Sequence, residues 1–469
     1  MTRRLVGAVL VAMISSASAQ EPVDDTPVRD PAPPPPALPW QNYVVPALEG
    51  SALSLGLLAF SNLVTQMPFA AITPESIARN LHPSSWTVDV DYYLTNQFGH
   101  PYQGSWYFNA ARSSGLSFWW AALYTLLHSL AWEVFFEAEP PSVNDQITTP
   151  IGGALVGEAL HRSARQLRNG DGAPWLRALG ATLLDPMGAL NLALLGDPPE
   201  EDVTLTPLFV RWQFGASASV VVDRVDEQPR DRAPPQALVA LLMVSGPPWD
   251  SRSNYDAPLS YFDLRADLSF PFKVVGNVFI RGLLVGRRFG DRRGPLQGVW
   301  GLFGDYDYAA PAIVRASAVG LGPGFILQHR LAPKLYLQAG GLLGGSPFAA
   351  AGQLLNVSPD LGRDYHVGPG LQTILDLRLV RAEWFTVELT VRNWLVVGAY
   401  TQPSGFESIT YGTVATSVSI WRWLGAGAEF TLSDRRATFT DDRRQFDTGF
   451  AFRLTLNVLS EPYFGITQK

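Results

Sequence analysis

Cysteine is absent from the 469 residues, which excludes a disulfide framework, a thiolate metal site and the modified cysteine of a lipid anchor. Histidine is scarce, at six, so any metal must be held by carboxylates and a few imidazoles. Charged residues make up only 16% of the chain, with a net charge of -7 and a pI near 5.5. No Lys/Arg cluster reaches the size that phosphate binding needs, so nucleic acid is excluded as a partner. What is abundant is apolar: 47% hydrophobic residues over this length rule out disorder for most of the chain and suit two structural units.

The first residues have the form of an export signal. Arg3 and Arg4 give a short positive segment, residues 5–14 an apolar core too short to span a bilayer, and Ala17-Ser18-Ala19 a small-residue cleavage site. Residues 1–19 are therefore expected to be a cleavable signal peptide. General secretion is favoured over folded export, because the positive segment is short and the wider twin-arginine consensus is missing. Residues 20–39 turn to Pro, Asp and Ala and end in PAPPPPALP, the composition of an extended spacer.

Residues 40–200 have helical character. The uncharged stretch 50–73 is broken by Asn62, Gln66 and Pro68, which predicts a buried or interfacial helix rather than a clean span. Residues 116–132 are equally apolar but contain His128 and run into Glu133 and Glu137, side chains that a lipid-facing helix would not carry. After the loop PPSVNDQITTP, helices are predicted over 152–168 and 174–184, with Thr148-Thr149-Pro150 as the start of the first.

From about residue 201 the hydrophobic period becomes two. Trp212, Phe214 and Ala216 alternate with Arg211, Gln213 and Ser217, Phe262, Leu264 and Leu268 with Asp263, Arg265 and Asp267, and Phe385, Val387 and Leu389 with Thr386, Glu388 and Thr390. Phe452, Leu454 and Leu456 alternate with Arg453, Thr455 and Asn457. A soluble antiparallel sheet also alternates. Here, however, about twelve segments of roughly ten or more residues keep uninterrupted apolar faces, as tilted membrane-spanning strands do. Trp212, Tyr261, Trp300, Tyr306, Tyr308, Trp384, Trp394, Trp421 and Trp423 fall toward segment ends, where interfacial girdles form. The expected fold is mainly β: an outer-membrane antiparallel barrel over 201–469, preceded by an N-terminal helical domain that packs against the barrel or plugs it.

Three ordered blocks, GHPYQGSWYFNAARSSG at 99–115, SLAWEVFFEAEPPSVNDQITTPIGGALVGE at 129–158 and HRSARQLR at 161–168, carry a family likeness. Over about residues 88–190 the chain resembles the bacterial domain of unknown function 3943. The resemblance implies an envelope protein in which such a block precedes a strand-rich region, and it brings no activity and no catalytic residue.

Chemistry must therefore be argued from side chains. On a helix, Glu133 and Glu137 share a face at a spacing of four, as do Glu158 and His161 at three. Facing helices would bring these four together as ligands for a divalent metal. Yet the Glu-x-x-His unit of dimetal bundles comes in two copies and only one is present. The blander reading is a buried network in which Arg112, Arg162 or Arg165 neutralises the glutamates. Hydrolysis is the other option, with His100, His128 or His161 as base, Glu133 or Glu158 orienting it, and Ser129, Ser142 and Asp145 nearby in sequence. No Gly-x-Ser-x-Gly elbow supports it. Pro101 is expected to hold His100 extended in a rigid turn.

In the barrel, Arg211, Asp263, Arg265, Asp267, Asp376, Arg378, Glu388, Arg392, Glu429 and Arg453 predict a lumen of mixed sign whose charges pair across it. Together these features suggest an envelope role in structure or in handling a lipid or small solute, without a cofactor beyond a possible divalent metal. The rival is a membrane-embedded hydrolase or metalloenzyme acting on envelope lipid. Membrane lipid and the barrel assembly machinery are the expected partners.

Overall fold

A computed structural model describes residues 38–89, 91–170, 173–196, 208–223, 229–250, 253–270, 273–291, 294–311, 313–352, 364–401, 403–461 and 464. The expected signal peptide, and the spacer as far as residue 37, lie outside the described residues. Residues Pro39–Lys469 form one compact unit, built from helices followed by strands.

The helices are α1 (Gln41–Leu63), α2 (Pro74–Asn80), α3 (His100–Ser113), α4 (Phe118–Ala131), α5 (Asp145–Asn169), α6 (Pro174–Leu184) and α7 (Pro186–Leu195). Wider π turns at Thr95–Gly99 and Trp132–Phe136 precede α3 and follow α4. Two local expectations are corrected here. Helix α5 starts at Asp145 rather than at Thr149-Pro150, because Ser142 Oγ accepts from the Asp145 N–H at 3.2 Å and caps it there. Pro150 then lies inside the helix, near enough to its start that little more than one hydrogen bond is lost. His100 is helical rather than extended, with φ -64° and ψ -48°, and Pro101 occupies the first turn of α3. Pro101 has no N–H to give to Gln97 O, and Tyr306 Oη donates to that carbonyl instead.

The strands are β1 (Leu208–Asp223), β2 (Pro229–Ser245), β3 (Phe262–Phe270), β4 (Lys273–Gly290), β5 (Leu296–Ala309), β6 (Ala316–Ala332), β7 (Leu335–Ala351), β8 (His366–Arg381), β9 (Phe385–Val397), β10 (Gly405–Trp421), β11 (Leu424–Phe439) and β12 (Arg444–Leu459). They close into a twelve-stranded antiparallel barrel with β1 against β12. The predicted alternation holds, since in antiparallel register paired residues share a face. Arg211 reaches Glu388 at 2.6 Å, Arg281 bridges Asp263 and Asp376 at 2.8 Å each, Arg392 meets Asp307 at 2.6 Å and Arg453 meets Asp267 at 3.1 Å. Each carboxylate so held is an alternative to water for a buried guanidinium. The opposite faces expose Phe214, Leu302, Leu375, Val414 and Leu454.

Side chains and loops also fill the lumen. At the rim bearing the first residue of β1 and the last of β12, Trp249 and Tyr255 from the 246–261 connection pack on Tyr261, Phe279 and Phe303. Phe464 is buried there and its carbonyl accepts from Arg378. At the other rim Ile313 enters among Trp394, Val396 and Ile409, and its carbonyl accepts from Ser433. Between them remains a polar cavity of about 90 Å³ lined by Arg211, Arg265, Asp267, Glu388 and Arg453, enough for a few waters.

The helices lie on the outward face of this wall. Ser163 and Gln166 touch Met243 and Ser245 of β2, Leu155 sits over Gly304 of β5, and Tyr306 Oη donates to Gln97 O at 2.7 Å. Tyr93 Oη donates to Ala309 O at 3.1 Å. Met243, Gly304 and Tyr306 all point away from the lumen by their register with Leu264, Gly282 and Ile280. The alternative of a helical plug is therefore not met by the described helices, which pack against the barrel instead.

The expected aromatic girdle divides the same way. Trp212, Trp300, Trp384, Trp421 and Trp423 are exposed, whereas Tyr261 and Trp394 face the lumen and Tyr306 and Tyr308 are covered by helices.

Candidate functional site

Helices α3 and α5 cross almost backbone to backbone. A Cβ at Gly153 would lie 2.5 Å from the Gly104 carbonyl carbon, and one at Gly104 would lie 2.3 Å from Thr149 O. This contact sets the start of α3, His100, beside the start of α5, Asp145, with His100 Nε2 3.8 Å from Asp145 Oδ2. The π turn at Trp132–Phe136 and the extended Glu137 bring two further carboxylates to the same place. Glu133 Oε2 accepts from Ser142 N at 2.7 Å, and Glu137 Oε2 accepts from Trp132 Nε1 at 3.2 Å.

Two members come from the irregular stretch before α3. The Asp89 N–H donates to Asn144 Oδ1 at 2.9 Å, and the Asp91 N–H donates to Asp89 Oδ1 at 2.9 Å. Asn80 holds the turn from behind, donating to the carbonyls of Glu133, Glu137 and Glu139 at 3.1, 3.0 and 2.9 Å. Tyr365, at the 352–365 rim of the barrel, donates to Asp91 O at 3.1 Å and so ties the cluster to that rim.

So many acids in one place resist ionisation. Burial, then neighbouring carboxylates, push Asp91 and Asp145 up to about 6 and Glu137 up to about 8. In Glu137 and Asp145 the His100 imidazole opposes the rise. Burial followed by Glu137 and Asp145 raises Glu133 well above the carboxylate range. Burial lowers His100, but Asp145, Glu137, Asp89 and Asp91 outweigh it and raise the imidazole overall. Asp89, His100 and Asp145 each offer one ligand atom, and these atoms lie within 4.8 Å of one another. Ser142 Oγ accepts the Asp145 N–H at 3.2 Å, and its hydroxyl also lies against the Asp145 carboxylate.

A groove of about 350 Å³ between α1 and α3 reaches this cluster. Leu53, Leu57, Phe69, Trp106 and Trp132 make its walls, and Asp91, His100 and Glu137 supply its polar patch.

The remaining candidates lie elsewhere. Glu158 is held by Arg112 Nε at 2.8 Å and Arg162 Nε at 2.6 Å, and His161 Nδ1 pairs with Asp185 Oδ2 at 2.7 Å. Asp185 Oδ1 also accepts the Gly188 N–H at the start of α7. The proposed set of Glu133, Glu137, Glu158 and His161 is thus divided between two places. His128 stacks on Tyr107, with ring centres 5.0 Å apart, and fills the space above Gly50, which is a packing role. Ser142 stands inside the cluster, at the start of α5. Asp89, Asp91 and Asn80 were missing from the candidates, because they stand in an irregular stretch and a short helix with no periodic signal; the Asp-x-Asp spacing was the one available hint.

The model of the family described as a domain of unknown function (DUF3943) matches residues 85–187, which contain His100, Glu133, Glu137 and Asp145. No curated protein matches the chain. Among solved structures, the NanC porin is similar at 7% identity and a TM-score of 0.27, over 51% of this chain and 98% of that one. The outer membrane channel DcaP of Acinetobacter baumannii is similar at 7% identity and 0.24, over 54% and 97%. The toluene transporter TodX of Pseudomonas putida is similar at 12% identity and 0.23, over 54% and 90%. Likeness at this level says nothing of cargo or mechanism.

Proposed function

We propose that the protein is an outer-membrane barrel that carries a lipid-handling helical unit on the outside of its wall. The groove is the observation that carries this reading: apolar walls of acyl-chain character end on a buried His/carboxylate cluster, the form of a pocket for an amphipathic molecule. The exposed apolar outer face and the tryptophans near one rim suit a bilayer setting. The filled lumen speaks against solute conduction as the main role.

The test is lipid retention. Leu57→Trp fills the groove, and the purified variant is expected to lose lipid that co-purifies with the natural protein. Equal lipid content in both, together with steady ion conductance of the natural protein in planar bilayers, would overturn the proposal.

A metal-dependent form of the same function is favoured by one observation, the convergence of Asp89, His100 and Asp145. An N/O donor set of this kind suits zinc or a harder divalent cation. Equilibrium dialysis against zinc or calcium, followed by elemental analysis, is expected to give one ion per chain, lost in His100→Ala. No uptake at pH 8 would remove this form.

A further inference from the structure

The helical unit is fastened within the apolar outer face of the barrel, not at its edge. Met243, Leu264, Ile280 and Tyr306 form one row across β2–β5. They point outward, yet none is more than 4% exposed, because α5 lies along the row with Ser163 on Met243 and Gly152 on Tyr306. On either side of this footprint the outward residues of the same strands are bare. Leu268 and Phe270 of β3 lie on one side, Val285 of β4 and Leu302 of β5 on the other, and all four are exposed.

The far side of the unit is as apolar as the wall it covers. Leu55 and Phe60 of α1, Leu127 of α4 and Leu194 of α7 are each more than half exposed. No Asp, Glu, Lys or Arg occurs in residues 50–74 or 113–132. The charges between these helices are turned inward and paired, as ionisable groups at bilayer depth are. Arg112, Glu158 and Arg162 form one ion triad and Asp185 pairs with His161, each no more than 2% exposed. Glu49 accepts from Asn191 at 3.2 Å. Arg165 and Arg168 stand at the close of α5, and the acidic cluster stands at the opposite end, beside the rim that bears Tyr365.

We infer that the helical unit is immersed in the bilayer beside the barrel, with lipid acyl chains covering the outer faces of α1, α4 and α7. Depth selects this occupant. Acyl chains solvate the outward apolar band of a membrane barrel, so a body fastened inside that band displaces them and meets them on its own far side. Helices can occupy that depth because their backbone hydrogen bonds are satisfied internally. The 23 residues of α1 are long and apolar enough to cross a membrane. The inference rests on the proposed membrane setting of the barrel, but not on what occupies the groove.

Absence of cysteine lets single nitroxide labels be placed in the full chain. Leu55→Cys, Leu127→Cys and Leu194→Cys label the far side, Leu375→Cys the outer face of the barrel and Asn169→Cys the end of α5. In phosphatidylcholine bilayers, each label's collisions with oxygen, which concentrates among acyl chains, are compared with its collisions with a water-soluble nickel chelate. The three helix labels are expected to favour oxygen to the same extent as the Leu375 label, and the Asn169 label is expected to favour nickel, with heat-modifiable mobility on gels unchanged. Helix labels that favour nickel while the Leu375 label favours oxygen would overturn this inference alone. Nickel preference at Leu375 as well would remove the membrane setting, and the proposed function with it. Helix labels shielded from both reagents would also overturn the inference, because protein would then cover those faces, and spin–spin broadening would identify the cover as a second copy of the chain.

Discussion

Arg112 donates from Nε to Glu158 Oε2 at 2.8 Å with both side chains almost wholly buried. Arg162 takes the other oxygen, at 2.6 Å, and its Nη2 continues to Pro258 O in the 246–261 connection. One carboxylate therefore bridges two guanidiniums, and through Arg162 the triad helps tie α5 to the barrel. Glu158→Ala leaves two buried cations facing each other, a change of about 3–5 kcal/mol. Denaturant unfolding followed by tryptophan fluorescence is expected to show an early transition of the helical unit, with barrel mobility on gels preserved. An unchanged midpoint would mean that the clamp is not structural.

Stability should also fall as pH rises. Glu137 goes from an ordinary 4.5 to about 8, and Asp91 and Asp145 from 3.8 to about 6. A folded value above the unfolded one means that the folded state binds more protons between the two. Stability is then lost through the windows 4.5 to about 8 and 3.8 to about 6 as pH increases. His100, also raised, acts in the same direction above its unfolded 6.5. Thermal melts from pH 4.5 to 8.5 should decline, and Glu137→Gln should flatten the upper part by an amount on the order of a few kcal/mol. A divalent cation bound at Asp89, His100 and Asp145 should restore the melt at pH 8 by mass action. A profile that rises toward pH 8 without added metal would contradict the buried-acid description.

The barrel was legible because each strand meets two environments, and a period of two records both. Arg211, Glu388, Arg392 and Arg453 were placed on the lumen side by that period alone, and the expectation that they pair across it holds. Their partners were not legible: Arg211 and Glu388 are 177 positions apart, a separation on which no local pattern acts. The helical cluster was legible only in part. Glu133, Glu137, Asp145 and His100 were candidates, but helical spacing attached Glu158 and His161 to the first two. In the structure a π turn redirects Glu137, while Arg112 and Arg162, which the sequence names as partners for the glutamates, hold Glu158. The pre-proline bias likewise hid that His100 begins a helix. Where side-chain position depends on a local override of ideal geometry, as at both π turns, spacing rules mislead.

The lumen network has its own test. Glu388 accepts from Arg211 at 2.6 Å and from Arg378 at 3.0 Å, so Glu388→Ala sets two like charges together inside the barrel. A loss of about 3–5 kcal/mol is expected for this break of a buried pair, read as a lowered temperature for the gel-mobility shift. Planar bilayers should remain silent for the natural protein, because Ile313 at one rim and Phe464 with Trp249 at the other occupy the path. They should stay nearly silent for Glu388→Ala too, since the change leaves both rims filled. Steady conductance of the natural protein would show that these rim residues do not seal it.

The last test separates the helical site from the barrel that carries it. Gly153 is the point where α5 touches α3, and a Cβ there would lie 2.5 Å from the Gly104 carbonyl carbon and 2.7 Å from its Cα. Backbone atoms cannot swing aside as a side chain can, so Gly153→Val must push the helices apart. The displacement falls on His100 and Asp145, which begin those helices and are already 3.8 Å apart. Uptake of divalent metal and lipid retention in the groove should therefore both fall at least tenfold, while gel mobility of the twelve-stranded barrel is unchanged. Gly56→Ala is the control: a Cβ at Gly56 in α1 would meet nothing within 4 Å, and alanine favours a helix by about 1 kcal/mol over glycine. That variant should bind as the natural protein does and melt no lower. If Gly153→Val retains full binding, the α3–α5 crossing is not what positions His100 against Asp145.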